Sequence, residues 1–204
     1  MKVRNWVAKN AKWHRAGKHT DKRKVLGPVE VELESPEDVL DEMMTKTQSA
    51  WLYEPDEYTF THVGYLCELR RNLSSGSWNG YVTVPDHHPS ILCTHNYSFI
   101  DRDLPMSPAQ AAYLNIEVHG GVTYKTGLTT GFDCNHLNDF APYSANQYQD
   151  KKYEWDGEGY IASYEDGKER KKRQWGVKEI YRTLGYVIRE CRNLAEQLKK
   201  MEEL

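Results

Sequence analysis

Nine apolar residues near the C-terminus recur at helical spacing: Val177, Ile180, Leu184, Val187, Ile188, Cys191, Leu194, Ala195 and Leu198. This spacing predicts a helix from about Val177 to Met201, with one apolar stripe that another layer must cover. Gly185 inside the stripe costs about 1 kcal/mol relative to alanine and lets a strand approach closely. A helix of this kind needs a sheet or a second helix against it, so the rest of the chain has to supply that layer.

The upstream residues read mainly as strands. Tyr58 to Arg71 is rich in aromatic and β-branched residues, Ser74 to Gly80 is a turn cluster, and Tyr81 to Val84 reads as a return strand closed by Pro85. Ile116 to Val118, Val122 to Tyr124 and Thr130 to Cys134 are further strand candidates, the first two flanking Gly120-Gly121. Two short helices are predicted. Ser35-Pro36 opens one over 35–47, with Val39, Leu40, Met43 and Met44 on its apolar side, and Ser107-Pro108 opens one through Tyr113. Residues 86–106 read as a polar loop and 138–173 as a long surface excursion. The pattern predicts an α+β fold, an antiparallel sheet with the long C-terminal helix packed on one face. Neither GxxxxGK[ST] nor GxGxxG occurs, and nothing alternates in the manner of a doubly wound fold.

Charge divides the chain. Residues 1–24 carry nine Lys and Arg against Asp21 alone, whereas Glu30, Glu32, Glu34, Glu37, Asp38, Asp41, Glu42, Glu54, Asp56 and Glu57 follow closely. Gly27-Pro28 is a natural break, so the expected organisation is a basic N-terminal arm over 1–28 and one α+β domain over 29–204. The arm suits a nucleic acid, another polyanion or a host protein; folding back on the acidic stretch is the structural alternative. The run Lys168 to Arg173 reads as a solvated face that joins the arm in a polyanion surface on the binding alternative. No stretch approaches the roughly 20 apolar residues of a membrane helix, so no membrane partner is expected. Cys67, Cys93, Cys134 and Cys191 are widely spaced without a CxxC pair, a usage that favours reduced thiols in a cytoplasm. A second copy of the chain is among the expected partners, since symmetric assemblies are common, although no residue pattern proves one.

Chemistry concentrates in Glu117-Val118-His119-Gly120-Gly121-Val122-Thr123-Tyr124 and in Gly131-Phe132-Asp133-Cys134-Asn135-His136-Leu137-Asn138-Asp139. His119, Asp133, His136 and Asp139 form a mixed nitrogen and oxygen set that zinc or another divalent ion accepts. The competing and more frequent outcome for such residues is a hydrogen-bonded network tying two loops together. In a hydrolase, a metal would activate water, with His119 or Asp133 as general base. A Cys134 nucleophile is disfavoured, because strand alternation sends Cys134 to the face opposite Asp133. For ligand binding, Gly120 and Gly121 allow close backbone approach, and Thr123, Tyr124 and Asn135 offer hydrogen bonds. His87, His88 and His95 lie in a loop read as solvated.

The order Gly80-Tyr81-Val82-x-Val84-Pro85, Val118-His119-Gly120-Gly121-x-Thr123-Tyr124 and Gly131-Phe132-Asp133-Cys134-x-His136-x-x-Asp139 resembles an uncharacterised family found mainly in bacteriophages and prophages. Its members end in a helix similar to Tyr181 to Leu198, and they often carry glycine where this chain has Asn138. Asn5 to Lys24 resembles small basic phage and bacterial proteins. The resemblance implies action in the host cytoplasm of an infected cell and transfers no mechanism. Joined to the motif chemistry, it leads to a polar pocket for a small, nucleotide-derived ligand whose capture would counter host defence. A metal-dependent hydrolase in the same pocket and a nucleic-acid or host-protein binder acting through the arm are the alternatives.

Overall fold

Residues 11–12, 41, 44–46, 48–96, 105–145, 151–164 and 173–204 are described by the computed structural model. Of the basic arm, only Ala11–Lys12 falls within them, as a two-residue strand β1. The predicted helix over 35–47 lies largely outside the described residues, although Asp41 and Met44-Thr45 are helical. Lys168 to Lys172 lie outside them as well.

The run from Tyr58 to Arg71, expected as one strand, is two: β2 (Glu57–His62) and β3 (Tyr65–Arg71). Val63 and Gly64 both adopt positive φ between the paired residues His62 and Tyr65, the geometry of a tight hairpin turn whose twist matches the strands. The next strand, β4 (Trp78–Thr83), takes in the end of the expected turn cluster. Helix α1 (Pro108–Leu114) starts where its sequence says it should, with Ser107 Oγ accepting the Gln110 N–H at 3.1 Å. Strands β5 (Tyr124–Thr126) and β6 (Thr129–Asp133) follow. The sheet is antiparallel in the order β1-β2-β3-β4-β6-β5.

Two aromatic–glycine pairs fix the contact between β4 and β6. Gly80 faces Phe132, and Tyr81 faces Gly131. A Cβ at Gly80 would come within 2.4 Å of the Phe132 ring, and one at Gly131 within 2.6 Å of the Tyr81 ring. Each ring therefore lies over a glycine on one face of the sheet, and the two faces are thereby different: Phe132 enters the core and Tyr81 stays half-buried.

Residues 138–173, expected as a surface excursion, instead contribute to a second antiparallel sheet of β7 (Lys151–Trp155), β8 (Tyr160–Tyr164) and β9 (Arg173–Glu179). Aromatic burial explains the difference. Tyr160 stacks on Phe140 at 3.8 Å, and Trp51, Tyr153 and Trp155 close around them.

The C-terminal helix α2 spans Leu184–Lys200 rather than beginning at Val177. Val177 is in β9, and Ile180 forms a parallel bridge with Asp139. Thr183 sets the start, its hydroxyl accepting the Tyr186 N–H. From Leu184 onward the stripe behaves as its spacing predicts: Leu184, Val187, Ile188, Cys191, Leu194, Ala195 and Leu198 are all buried, against β2, β3 and β4. Cys67, Leu69, Trp78 and Val82 supply the sheet side of this core.

Ile116 to Val118 is no strand. Its backbone groups pair with side chains of α2 instead. Gln197 accepts the Glu117 N–H at 2.8 Å, Asn193 and Gln197 both donate to the Glu117 carbonyl, and Glu190 accepts the His119 N–H at 2.8 Å. A polar row on the helix thus satisfies an extended segment that would otherwise need a neighbouring strand. No helix among the described residues is long and apolar enough to cross a membrane.

Candidate functional site

The segment 115–123 and the turn after β6 meet over the first half of α2. Asp139 is at the centre, its carboxylate almost fully buried. Its Oδ1 accepts Arg182 Nε at 2.7 Å. Its Oδ2 lies 2.7 Å from His119 Nε2 and accepts the His136 backbone N–H at 3.0 Å. Burial alone would raise the Asp139 pKa, but the hydrogen bonds from His119, Arg182 and the His136 backbone outweigh it and hold the carboxyl well below the usual range. Two cationic or polarised donors and a backbone N–H thus keep a buried carboxylate ionised.

The two imidazoles differ in how their ring nitrogens are held. His119 Nδ1 lies 2.9 Å from Tyr186 Oη. Burial pushes the Tyr186 hydroxyl up to about 12, with the neighbouring Glu190 adding to it. His136 stands edge-on to His119, with ring centroids 5.3 Å apart. Its Nε2 points toward Asp133 Oδ1 at 3.9 Å. Its Nδ1 lies 3.4 Å from Asp139 Oδ2, is buried, and makes no hydrogen bond. One nitrogen or oxygen from each of His119, His136 and Asp139 falls within 4.8 Å of the others, so among the described residues these three side chains could share a metal ion.

Gly120 makes this packing possible. It adopts φ +66°, and a Cβ there would lie 2.0 Å from His136 Cε1. The imidazole lies directly against the backbone of the Gly120-Gly121 turn, so any side chain at 120 would displace it. Gly121 also has positive φ but faces open space.

On the face of the sheet opposite α2, a groove of about 330 Å³ opens between β4, β5 and β6. Asn79, Tyr81, Thr123, Tyr124, Asp133 and Asn135 line much of it. Tyr81 and Tyr124 meet edge to face at 5.3 Å, and Tyr124 is 41% exposed. Asp133 also receives the Asn135 backbone N–H at 3.1 Å, which ties the start of the turn to the groove wall.

The residues singled out from sequence therefore separate into two neighbouring places. His119, His136, Asp139 and Gly120 form the cluster on the helix side. Thr123, Tyr124 and Asn135 line the groove, and Asp133 stands between the two. Gly121 belongs to the turn and lines neither. Cys134 is fully buried, and burial pushes its thiol well above the ordinary range, with Asp139 adding to this effect; it is not poised as a nucleophile.

His88 is buried rather than solvated. It caps the 3-10 turn Pro89–Leu92, and its Nε2 lies 2.8 Å from the Leu198 carbonyl. His87 is exposed beside Asp86.

Sequence reasoning missed Arg182, Tyr186 and Glu190, which hold the cluster from behind. A signal for part of this existed: Tyr186, Glu190, Asn193 and Gln197 form a polar row beside the apolar stripe at helical spacing. Comparison of the chain with protein-family models, with curated proteins and with solved structures gives no match.

Proposed function

We propose that this chain captures a small polar molecule, nucleoside-like in its recognised part, in the groove between β4, β5 and β6. The observation that carries this reading is the chemistry of the lining. Asn79 and Asn135 offer amides that both donate and accept, Asn72 offers its amide N–H groups beside an Oδ1 that already accepts from Ser74 and Ser75, Thr123 offers a hydroxyl, and Tyr124 presents an exposed ring. Asp133 adds a carboxylate, a group suited to accepting hydrogen bonds from sugar hydroxyls. A base or comparable flat ring has the Tyr81–Tyr124 pair to rest against. The volume suits one such moiety rather than a long oligomer. No Lys or Arg is among the lining residues, so a phosphate on the ligand would project outward and contribute little. In a phage setting, which the sequence resemblance implies, sequestering a nucleotide-derived signal would protect the infecting genome from a host response.

Equilibrium binding of the full chain to a panel of nucleosides, cyclic and linear dinucleotides and simple sugars tests the proposal. Saturable one-to-one binding of a member of the nucleoside group, returned chemically unchanged, is the expected result. Absence of binding across the panel would overturn it. Turnover of the ligand would replace capture with catalysis.

A further inference from the structure

We infer that His119, His136 and Asp139 form a site for a divalent transition-metal ion, with zinc the best-suited occupant. This goes beyond ligand capture in the groove and does not depend on it. One ligand atom from each of the three lies within 4.8 Å of the other two, and His119 Nε2 and His136 Nδ1 are the nitrogens that face Asp139 Oδ2, at 2.7 and 3.4 Å. Two imidazole nitrogens and one carboxylate oxygen suit a borderline ion such as zinc and leave a fourth position for solvent.

The groups behind the donors point the same way. A ligating histidine ordinarily hands its other nitrogen to a carboxylate, carbonyl or hydroxyl that fixes its orientation. His119 Nδ1 has Tyr186 Oη at 2.9 Å, within hydrogen-bond reach, whereas His136 Nε2 faces the Asp133 carboxylate at 3.9 Å, a charge contact without a hydrogen bond. The second oxygen of Asp139 is held by Arg182 at 2.7 Å. His119 and Asp139 are thus each oriented by a hydrogen bond on the far side, and the His136 ring is seated against Gly120. His136 Nδ1 is the most telling, because it is buried, faces Asp139 and makes no hydrogen bond. Buried polar nitrogens are hydrogen-bonded in the large majority of cases, so one left without a bond beside a carboxylate marks a place where a further partner fits. Gly120 lacks the Cβ that would push the ring away.

Binding balances as a proton exchange. With Nε2 of His119 and Nδ1 of His136 given to the ion, each neutral imidazole carries its single proton on the far nitrogen, His119 on Nδ1 toward Tyr186 Oη and His136 on Nε2, and any further proton leaves to solvent. No redox step is involved.

The test uses the full chain, freed of metal by dialysis against chelator and titrated with Co²⁺ as a visible probe, then with Zn²⁺. Expected are one equivalent of Co²⁺ with ligand-field absorption bands of a low-coordinate site, displacement by Zn²⁺ and a rise in Tm. His119→Gln and His136→Gln should each weaken binding at least about 100-fold, and Asp133→Asn by about 10-fold through the orientation of His136. His136 lies at the surface edge of the cluster, so its variant serves if the His119 variant does not fold. Wild-type protein with unchanged far-ultraviolet circular dichroism and no cobalt bands would overturn the inference. So would a bound equivalent that both His136→Gln and Asp133→Asn retain at full affinity, because the ion would then lie elsewhere. Ligand capture in the groove would survive either failure.

Discussion

Glu54 Oε1 accepts the backbone N–H of Leu184 at 2.7 Å, joining the segment before β2 to the first turn of α2. Its other oxygen accepts Tyr181 Oη at 2.7 Å and Trp78 Nε1 at 3.1 Å. Arg71 lies 3.2 Å from Glu54 and 3.3 Å from Asp56, and all three charged groups are buried. The guanidinium also sits over the Trp78 ring, 4.3 Å from its centre. Two carboxylates face one cation here, and the positive end of α2 supplies part of the balance.

This arrangement makes the two signs of charge unequal. Arg71→Met leaves two buried carboxylates without their cation and should cost about 3–5 kcal/mol of stability. Glu54→Gln keeps the shape and leaves the Arg71–Asp56 pair, so it should cost less, about 1–3 kcal/mol. The double variant should be less destabilised than the two costs added, because each removes a partner of the other. Urea unfolding of the three variants checks the order; equal single costs would contradict it.

Gly120 and Gly121 should respond differently to alanine. Both have positive φ, so each substitution costs roughly 1–2 kcal/mol of backbone strain. Only at 120 does the new Cβ collide with His136. Gly120→Ala should therefore be the more destabilising and should shift the His136 ring resonances in nuclear magnetic resonance spectra, while Gly121→Ala leaves them in place.

Alkaline pH should weaken the fold through buried tyrosines. Burial raises the Tyr113 hydroxyl from 10.0 to about 12, although the Thr130 hydrogen bond works slightly against this. A raised folded-state value means that its contribution is complete below pH 10 and is lost as pH climbs toward 12. The loss is on the order of 2 kcal/mol. Stability measured by urea between pH 8 and 12 should fall less steeply in Tyr113→Phe than in the wild type.

Groove variants should separate binding from folding. Tyr124 is exposed at its ring and Asn135 lies in a surface turn, so Tyr124→Ala and Asn135→Ala should change Tm little. Each should weaken nucleoside binding about 10-fold or more, the value of one ring contact or one good hydrogen bond in a partly shielded site. Calorimetric titration reads this directly, and unaltered affinity in both would place the ligand elsewhere.

Local rules made several elements readable before any coordinates. Ser107-Pro108 announces α1 because capping acts within three residues. The apolar stripe from Leu184 to Leu198 announces α2 and its need for a sheet. The motifs around His119 and His136 stand out because His, Asp and Gly are concentrated in two short stretches, 117–124 and 131–139. Other features have no local signature. Val177 and Ile180 fit the helical period by spacing alone, and only pairing of β9 with β8 and of Ile180 with Asp139 decides that the helix begins after Thr183.

What the sequence determined by itself was the class of the fold, the face that α2 buries and the short list of reactive residues, since period, capping and residue chemistry act over a few positions. Tertiary structure alone decided that Glu54, Asp56 and Arg71 are core residues, because charged side chains read as surface until a partner from far along the chain neutralises them. It also decided that His119 and Asp139 share one carboxylate–imidazole contact while Asp133 turns toward the groove. Each of these depends on the place where distant segments meet on α2, which long-range packing chooses and local propensity does not encode.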